Sequence, residues 1–195
     1  MATRKGFGQV EPNHLSARYT GQIYAQLPAK HADGTAITQL ENGQFLKYDY
    51  ANACASDSNA RAGEWMLVFN EEKLYDERYQ NHRYFALKNT DFTDNLIYPR
   101  LLKTNIGDIF STNTFRTSGG ATVTTGDQEI TIPDLDVDDI LVVGTTGWLE
   151  KAQQLPASGI AFKVVPHFSQ KKVGNDWSGY TLADKQFGVK LQRVQ

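Results

Sequence analysis

Short apolar runs broken by turn residues recur along most of this chain, and their spacing is that of β-strands. Ile97–Leu102 and Ile106–Phe110 are divided by Lys103-Thr104-Asn105, with Gly107-Asp108 and Ser111-Thr112-Asn113 as punctuation. Pro99 argues for an edge or a bulge within the first of these, since it cannot donate to a ladder. Further on, Ala121–Thr125, Glu129–Ile132, Ile140–Val143, Trp148-Leu149, Gly159–Val165 and Phe187–Val194 follow the same rhythm. Ala161-Phe162-Lys163-Val164 and Phe187–Leu191 alternate, so one face of each points to a core and the other to water.

Upstream, Ile37–Leu40 and Gln44–Tyr48 flank Asn42-Gly43, a dipeptide that tolerates the positive φ of a type I′ turn and predicts a hairpin. Trp65–Phe69 is a continuous apolar run and reads as a buried strand. Tyr84–Leu87 reads as another strand, and the small, polar residues 51–63 as a surface loop. Asn70–Gln80 is the best helix, with Asn70 as cap and Glu71 and Glu72 in its first turn. The polar insert Ser169–Asp184 reads as a long hairpin loop. The pattern therefore predicts a mainly β protein: an antiparallel sandwich or small barrel, an extended N-terminal arm, and at most one or two short helices.

Residues 1–35 stand apart. Gly6, Gly8, Pro12, Gly21, Pro28 and Gly34 break any period, yet Phe7, Val10, Leu15, Tyr19, Ile23, Tyr24 and Leu27 make the segment too apolar for a disordered tail. Two readings stand: an arm that orders on another surface, or a loop-rich lead-in packed on its own domain. In the first, Arg4, Lys5, Phe7, Arg18, Tyr19, Ile23, Tyr24 and Leu27 are the partner-binding residues. Residues 36–195 then form the β-rich domain, divisible into packed subdomains at 36–95 and 96–195.

Composition narrows the function more than it defines it. A net charge of −2 argues against nucleic acid as a partner, and no apolar run reaches a membrane-spanning length. The single Cys54 excludes an internal disulfide. His14, His31, His82 and His167 lack the spacing of a zinc site, and no hydrolase, nucleotide or dinucleotide signature occurs. We expect no catalytic residue, metal or cofactor. No basic residue falls between Arg116 and Lys151, where Asp134, Asp136, Asp138 and Asp139 cluster. That cluster departs from an EF-hand calcium loop at its sixth and twelfth positions and reads as a solvated turn, with a calcium site of irregular type or an acidic patch that docks a neighbour's basic arm as the alternatives. Trp148, Trp177 and Tyr180 could line a sugar-binding groove if exposed, which makes a carbohydrate- or receptor-binding module of a phage tail or cell surface the alternative function.

The stretch Ile97–Asp108 followed by Ser111–Phe115 resembles small accessory head proteins of tailed bacteriophages. The turn Leu40–Leu46 is similar to the opening hairpin of phage decoration or cement proteins, and Gly21–Pro28 fits the same likeness. The resemblance covers about the first two thirds of the chain, and the C-terminal β region has no counterpart in it. It implies a non-enzymatic virion structural protein that binds the capsid and stabilises the joints between major capsid protein subunits. Its partners would be the major capsid protein and copies of itself, with no nucleic acid and no membrane. Its place would be the virion, after assembly in the host cytoplasm.

Overall fold

In a computed structural model of the chain, residues 3–70, 85–116, 129–131, 135–166 and 188–195 are described. The protein is mainly β. Its first third supplies β1 (Thr3–Lys5), β2 (Val10–His14), a helical turn α1 (Ser16–Thr20), β3 (Ile23–Tyr24) and β4 (Ala29–Lys30). There follow β5 (Gln39–Leu40), β6 (Phe45–Asp49), β7 (Cys54–Ser56), β8 (Trp65–Val68), β9 (Leu87–Lys88) and β10 (Leu101–Leu102). The remainder holds β11 (Ile109–Thr112), β12 (Glu129–Thr131), β13 (Ile140–Val143), β14 (Leu149–Ala152), β15 (Ala161–Val164) and β16 (Val189–Arg193). The helix expected over Asn70–Gln80, beyond Asn70 itself, lies outside the described residues, as do Tyr84, Ala121–Thr125, Ile132, the insert Ser169–Asp184 and Phe187.

Two six-stranded sheets carry the fold. The first runs β3-β10-β8-β6-β7-β4 and the second β14-β13-β15-β16-β11-β2. Between them lies a core in which Phe45, Trp65 and Leu67 of the first sheet meet Phe110, Leu141, Phe162 and Leu191 of the second. The first sheet is buried on its other face too, where Leu46, Tyr48, Met66 and Val68 pack with Ala29, Ile37, Ile97 and Leu101. Double burial explains why β8 is an unbroken apolar run rather than an alternating one. In the second sheet Phe162, Val164, Val189 and Leu191 point inward while Lys163 and Lys190 are half exposed, as alternation requires.

The N-terminal segment is woven into this body. Thr3–Lys5 pairs with β12, Val10–His14 with β11, Ile23–Tyr24 with β10 and Ala29–Lys30 with β7. In the single chain, then, its extended stretches find their backbone partners on the chain's own strands. The two sheets are also clipped together at one end. Arg193 of β16 donates to the Thr104 carbonyl and reaches Glu64 at 3.2 Å, while Lys103 meets the same Glu64 at 2.9 Å.

Several expectations are corrected. The turn at Asn42-Gly43 forms, but it does not join a hairpin: β5 pairs with β9, while β6 pairs with β7 and β8. Only Gly43 has positive φ (92°), so the turn is not type I′ and its flanks diverge into different sheets. Asn42 is occupied elsewhere, because its side chain exchanges two hydrogen bonds with the Asn70 backbone, at 2.8 and 3.1 Å. Residues 51–63 are not wholly loop, since Cys54–Ser56 is a buried strand between β6 and β4. The apolar run expected to begin at Ile106 begins at Ile109, and Ile106 sits exposed in a turn that Gly107 closes at φ 93°. Pro99 is not inside a strand, because β10 starts only at Leu101.

Candidate functional site

The expected arm residues separate into an inner and an outer set. Arg4 and Phe7 are buried, so neither offers its side chain to a partner while the fold is closed. Lys5 pairs through its backbone with Glu129. Ile23, Tyr24 and Leu27 are half buried against the two cores. Arg18 and Tyr19 are exposed, Tyr19 at 77%.

These two are placed by α1, a turn too short to be stable by itself. Its first backbone N–H has no partner within the helix, and the Asp108 carboxylate takes it: Ser16 N–H and Oγ–H donate to Asp108 at 3.1 and 3.0 Å. Asp108 also accepts the Asn105 N–H at 2.9 Å, and Asn105 Nδ2 donates to Ser16 Oγ at 2.7 Å. Gly21 closes the turn in the left-handed conformation, with Gln22 N–H donating to the Ala17 carbonyl. Tyr19 and Ile106 (75% exposed) therefore flank one polar node, with Arg18 lying over the Phe69 ring. Asp108 is itself buried, so Asp108→Ala is expected to cost about 1–3 kcal/mol, and to speed amide exchange at Ala17–Gln22 more than elsewhere. Unchanged exchange there would mean that something other than Asp108 holds α1.

A second feature is a cleft of about 440 Å³ between the Thr38–Gln44 stretch and the turn that carries Thr146 and Trp148, with His31, Asp57 and Arg116 on its walls. Two glycines bring its sides together. A Cβ on Gly43 would strike the Thr114 side chain, and one on Gly147 would strike the Phe45 carbonyl, while Gly147 itself accepts the Phe45 N–H at 2.7 Å. Behind the cleft runs a buried polar seam. Arg4 meets Glu41 at 3.0 Å, and Glu41 accepts the Gly8 N–H at 2.6 Å. Thr112 Oγ1 donates to the Gln9 carbonyl at 2.6 Å, and Thr114 Oγ1 to the Asn42 carbonyl at 2.7 Å. Burial pushes the Arg4 guanidinium down and the Glu41 carboxyl up from their ordinary values, each against the pull of the other.

Arg116 lies over the Trp148 ring, 4.2 Å from its centre, and Arg4 is 5.7 Å from the same ring. Burial lowers the Arg116 guanidinium from its ordinary value, with Glu41 pulling the other way. His31 and Asp57 are paired at 2.8 Å. Sequence reasoning does not reach this cleft, because Glu41, Arg116, His31 and Asp57 are distant in sequence and no spacing rule links them.

The acidic cluster is altered by its neighbours. Lys163 of β15 meets Asp138 at 3.0 Å and Lys151 of β14 meets Asp139 at 2.6 Å, because both strands pair with β13 beside the loop. Asp136 donates its backbone N–H to Asp139 at 2.6 Å. Much of the charge offered to a basic arm is thus met within the chain; Asp134 lies outside the described residues. Among the described residues no three His, Cys, Asp or Glu side chains gather as a metal site. Trp148 is 3% exposed with Arg116 on its ring, which removes the open aromatic face required for sugar stacking. Trp177 and Tyr180 lie outside the described residues. No protein-family model, no curated protein and no solved structure matches the chain.

Proposed function

We propose that this chain is a non-enzymatic virion structural protein that binds a phage capsid and stabilises the joints between major capsid protein subunits. The observation that supports it is that Tyr19 and Ile106, two large side chains left in water, sit on segments that the Ser16–Asp108 and Asn105–Ser16 hydrogen bonds hold together, with the exposed Arg18 beside Tyr19 in the chain. Burying Tyr19 and Ile106 would contribute about 1.5–3 kcal/mol each, enough to matter when many copies bind one shell. The patch also joins the two stretches, Ile97–Asp108 and the N-terminal segment, on which the likeness to head proteins and the expected capsid contact rest.

Deleting residues 1–35 is a poor test, because it removes strands from both large sheets. Point changes at exposed positions are better. The full chain, Tyr19→Ser, Ile106→Ser and the double variant would be titrated onto empty shells of the major capsid protein, with bound copies counted after sedimentation. Each single change is expected to weaken binding about tenfold, the double change to abolish it, and the parent to raise the temperature at which shells rupture. A parent chain that does not bind shells, or a double variant that binds as tightly as the parent, would refute the proposal.

A further inference from the structure

The cleft is separate from the Tyr19–Ile106 patch and has its own chemistry. We propose that it is a receptor for a single carboxylate group, gripped by the Arg116 guanidinium and backed by the Trp148 ring.

Three observations lead there. First, the Arg116 side chain makes no hydrogen bond or ion pair with any described residue, although it lines the cleft and its guanidinium is held 4.2 Å from the Trp148 ring centre. A guanidinium over a ring face, with no hydrogen-bond partner among the described residues, has N–H donors to offer, and their fork matches the two oxygens of a carboxylate. Burial lowers the Arg116 guanidinium from its ordinary value, so an incoming anion would relieve a partly desolvated cation. Second, the surrounding charge favours one negative charge over two. Arg4 and Glu41 offset each other at 3.0 Å, and Asp57, paired with His31, adds a carboxylate to the wall. A phosphate dianion would meet Asp57 on the wall, and Glu150 acting on Arg116, with more repulsion than a carboxylate does. Third, the cleft's volume of about 440 Å³ suits a small organic body, for which Ile37 and Leu40 supply apolar contact and Gln39 an amide.

The carboxylate could be carried by a free small molecule or by an acidic side chain of a partner protein. The test uses benzoate for the first and the blocked peptide acetyl-Ala-Glu-Ala-amide for the second, with benzamide and phenylphosphonate as neutral and dianionic comparisons. Binding is read from the NMR shifts of the Arg116 Nε–H and the Trp148 indole N–H in the full chain. Saturable shifts at both groups are expected with benzoate or the peptide, whichever binds tighter naming the source. Phenylphosphonate should bind several-fold more weakly and benzamide should leave both signals in place. Arg116→Gln should weaken binding at least tenfold, and Arg116→Lys should recover only part of it. Should Arg116→Gln not fold, Thr38→Trp remains: an exposed residue at the cleft, where a large ring blocks entry without touching the core. No saturable shift with either carboxylate, equal binding of benzamide, or full binding by a folded Arg116→Gln or by Thr38→Trp would each overturn the proposal. The inference does not rest on capsid binding, and its probes contain no capsid protein.

Discussion

Phe162→Ala is expected to destabilise the protein by about 3–5 kcal/mol, the range for removing a fully buried ring. Phe162 has no exposed surface and sits at the centre of the inter-sheet core. Its ring is 5.4 Å from that of Phe110, edge-on, and 5.4 Å from that of Phe45, while Phe45 and Phe110 are 6.5 Å apart. One ring comes from the first sheet and two from the second, so the triad is where the sandwich is joined rather than a patch within one layer. A domain stabilised by about 5–15 kcal/mol has little margin for such a loss, and its midpoint should fall by on the order of 10 °C. Phe162→Leu keeps most of the volume but loses the ring pairs, and should cost about 1–2 kcal/mol. The measurement is urea unfolding followed by tryptophan fluorescence and circular dichroism together. A loss below about 1 kcal/mol for Phe162→Ala would show that the sheets are held by something other than this triad. Ile106→Ala, at an exposed turn, serves as the contrast and should change stability by less than about 0.5 kcal/mol.

The strands around that triad were the most legible part of the chain. In β15 and β16 alternation marks the wet and dry faces directly, and β13 and β8 declare themselves as runs of branched and aromatic residues. What failed to read did so for identifiable reasons. Cys54–Ser56 looks like loop because it is small and polar, yet small residues are what a strand needs when it lies between β6 and a parallel β4 with Ala55 facing Ala29. Ile106 looks like strand because it is apolar, but the positive φ of Gly107 (93°) turns the chain there and leaves it in water. Within residues 1–35 no run is long enough to show a period, since its strands are two to five residues long and borrow their order from partners far along the chain. The same non-locality hid the cleft. A turn residue, Glu41, pairs with Arg4, while Arg116 finds Trp148, and no spacing rule links them.

The Arg4–Glu41 pair carries the second large expectation. The side chains are 0% and 3% exposed and 3.0 Å apart, so removing either leaves a buried charge without its counterpart. Arg4→Ala and Glu41→Ala are each expected to cost about 3–5 kcal/mol. Glu41→Ala should sit at the upper end, because it also strands the Gly8 N–H that the carboxylate now accepts at 2.6 Å. Replacing both residues has a different outcome. Burial drives both groups toward their neutral forms despite their attraction, so desolvation outweighs the mutual gain, and an apolar pair of similar volume escapes that cost. Arg4→Met with Glu41→Leu is therefore expected to be far less harmful than the sum of the two single losses, by about 3 kcal/mol or more in a double-mutant cycle. Additive losses would mean that the residues act independently, and that the seam is held by the Thr112 and Thr114 hydroxyls instead. If the coupling is found, it also bears on the cleft. With Arg4 and Glu41 neutralising each other behind the wall, Arg116 is the guanidinium left facing a ligand among the described lining residues, so the apolar double variant should still shift its Arg116 signal on adding benzoate.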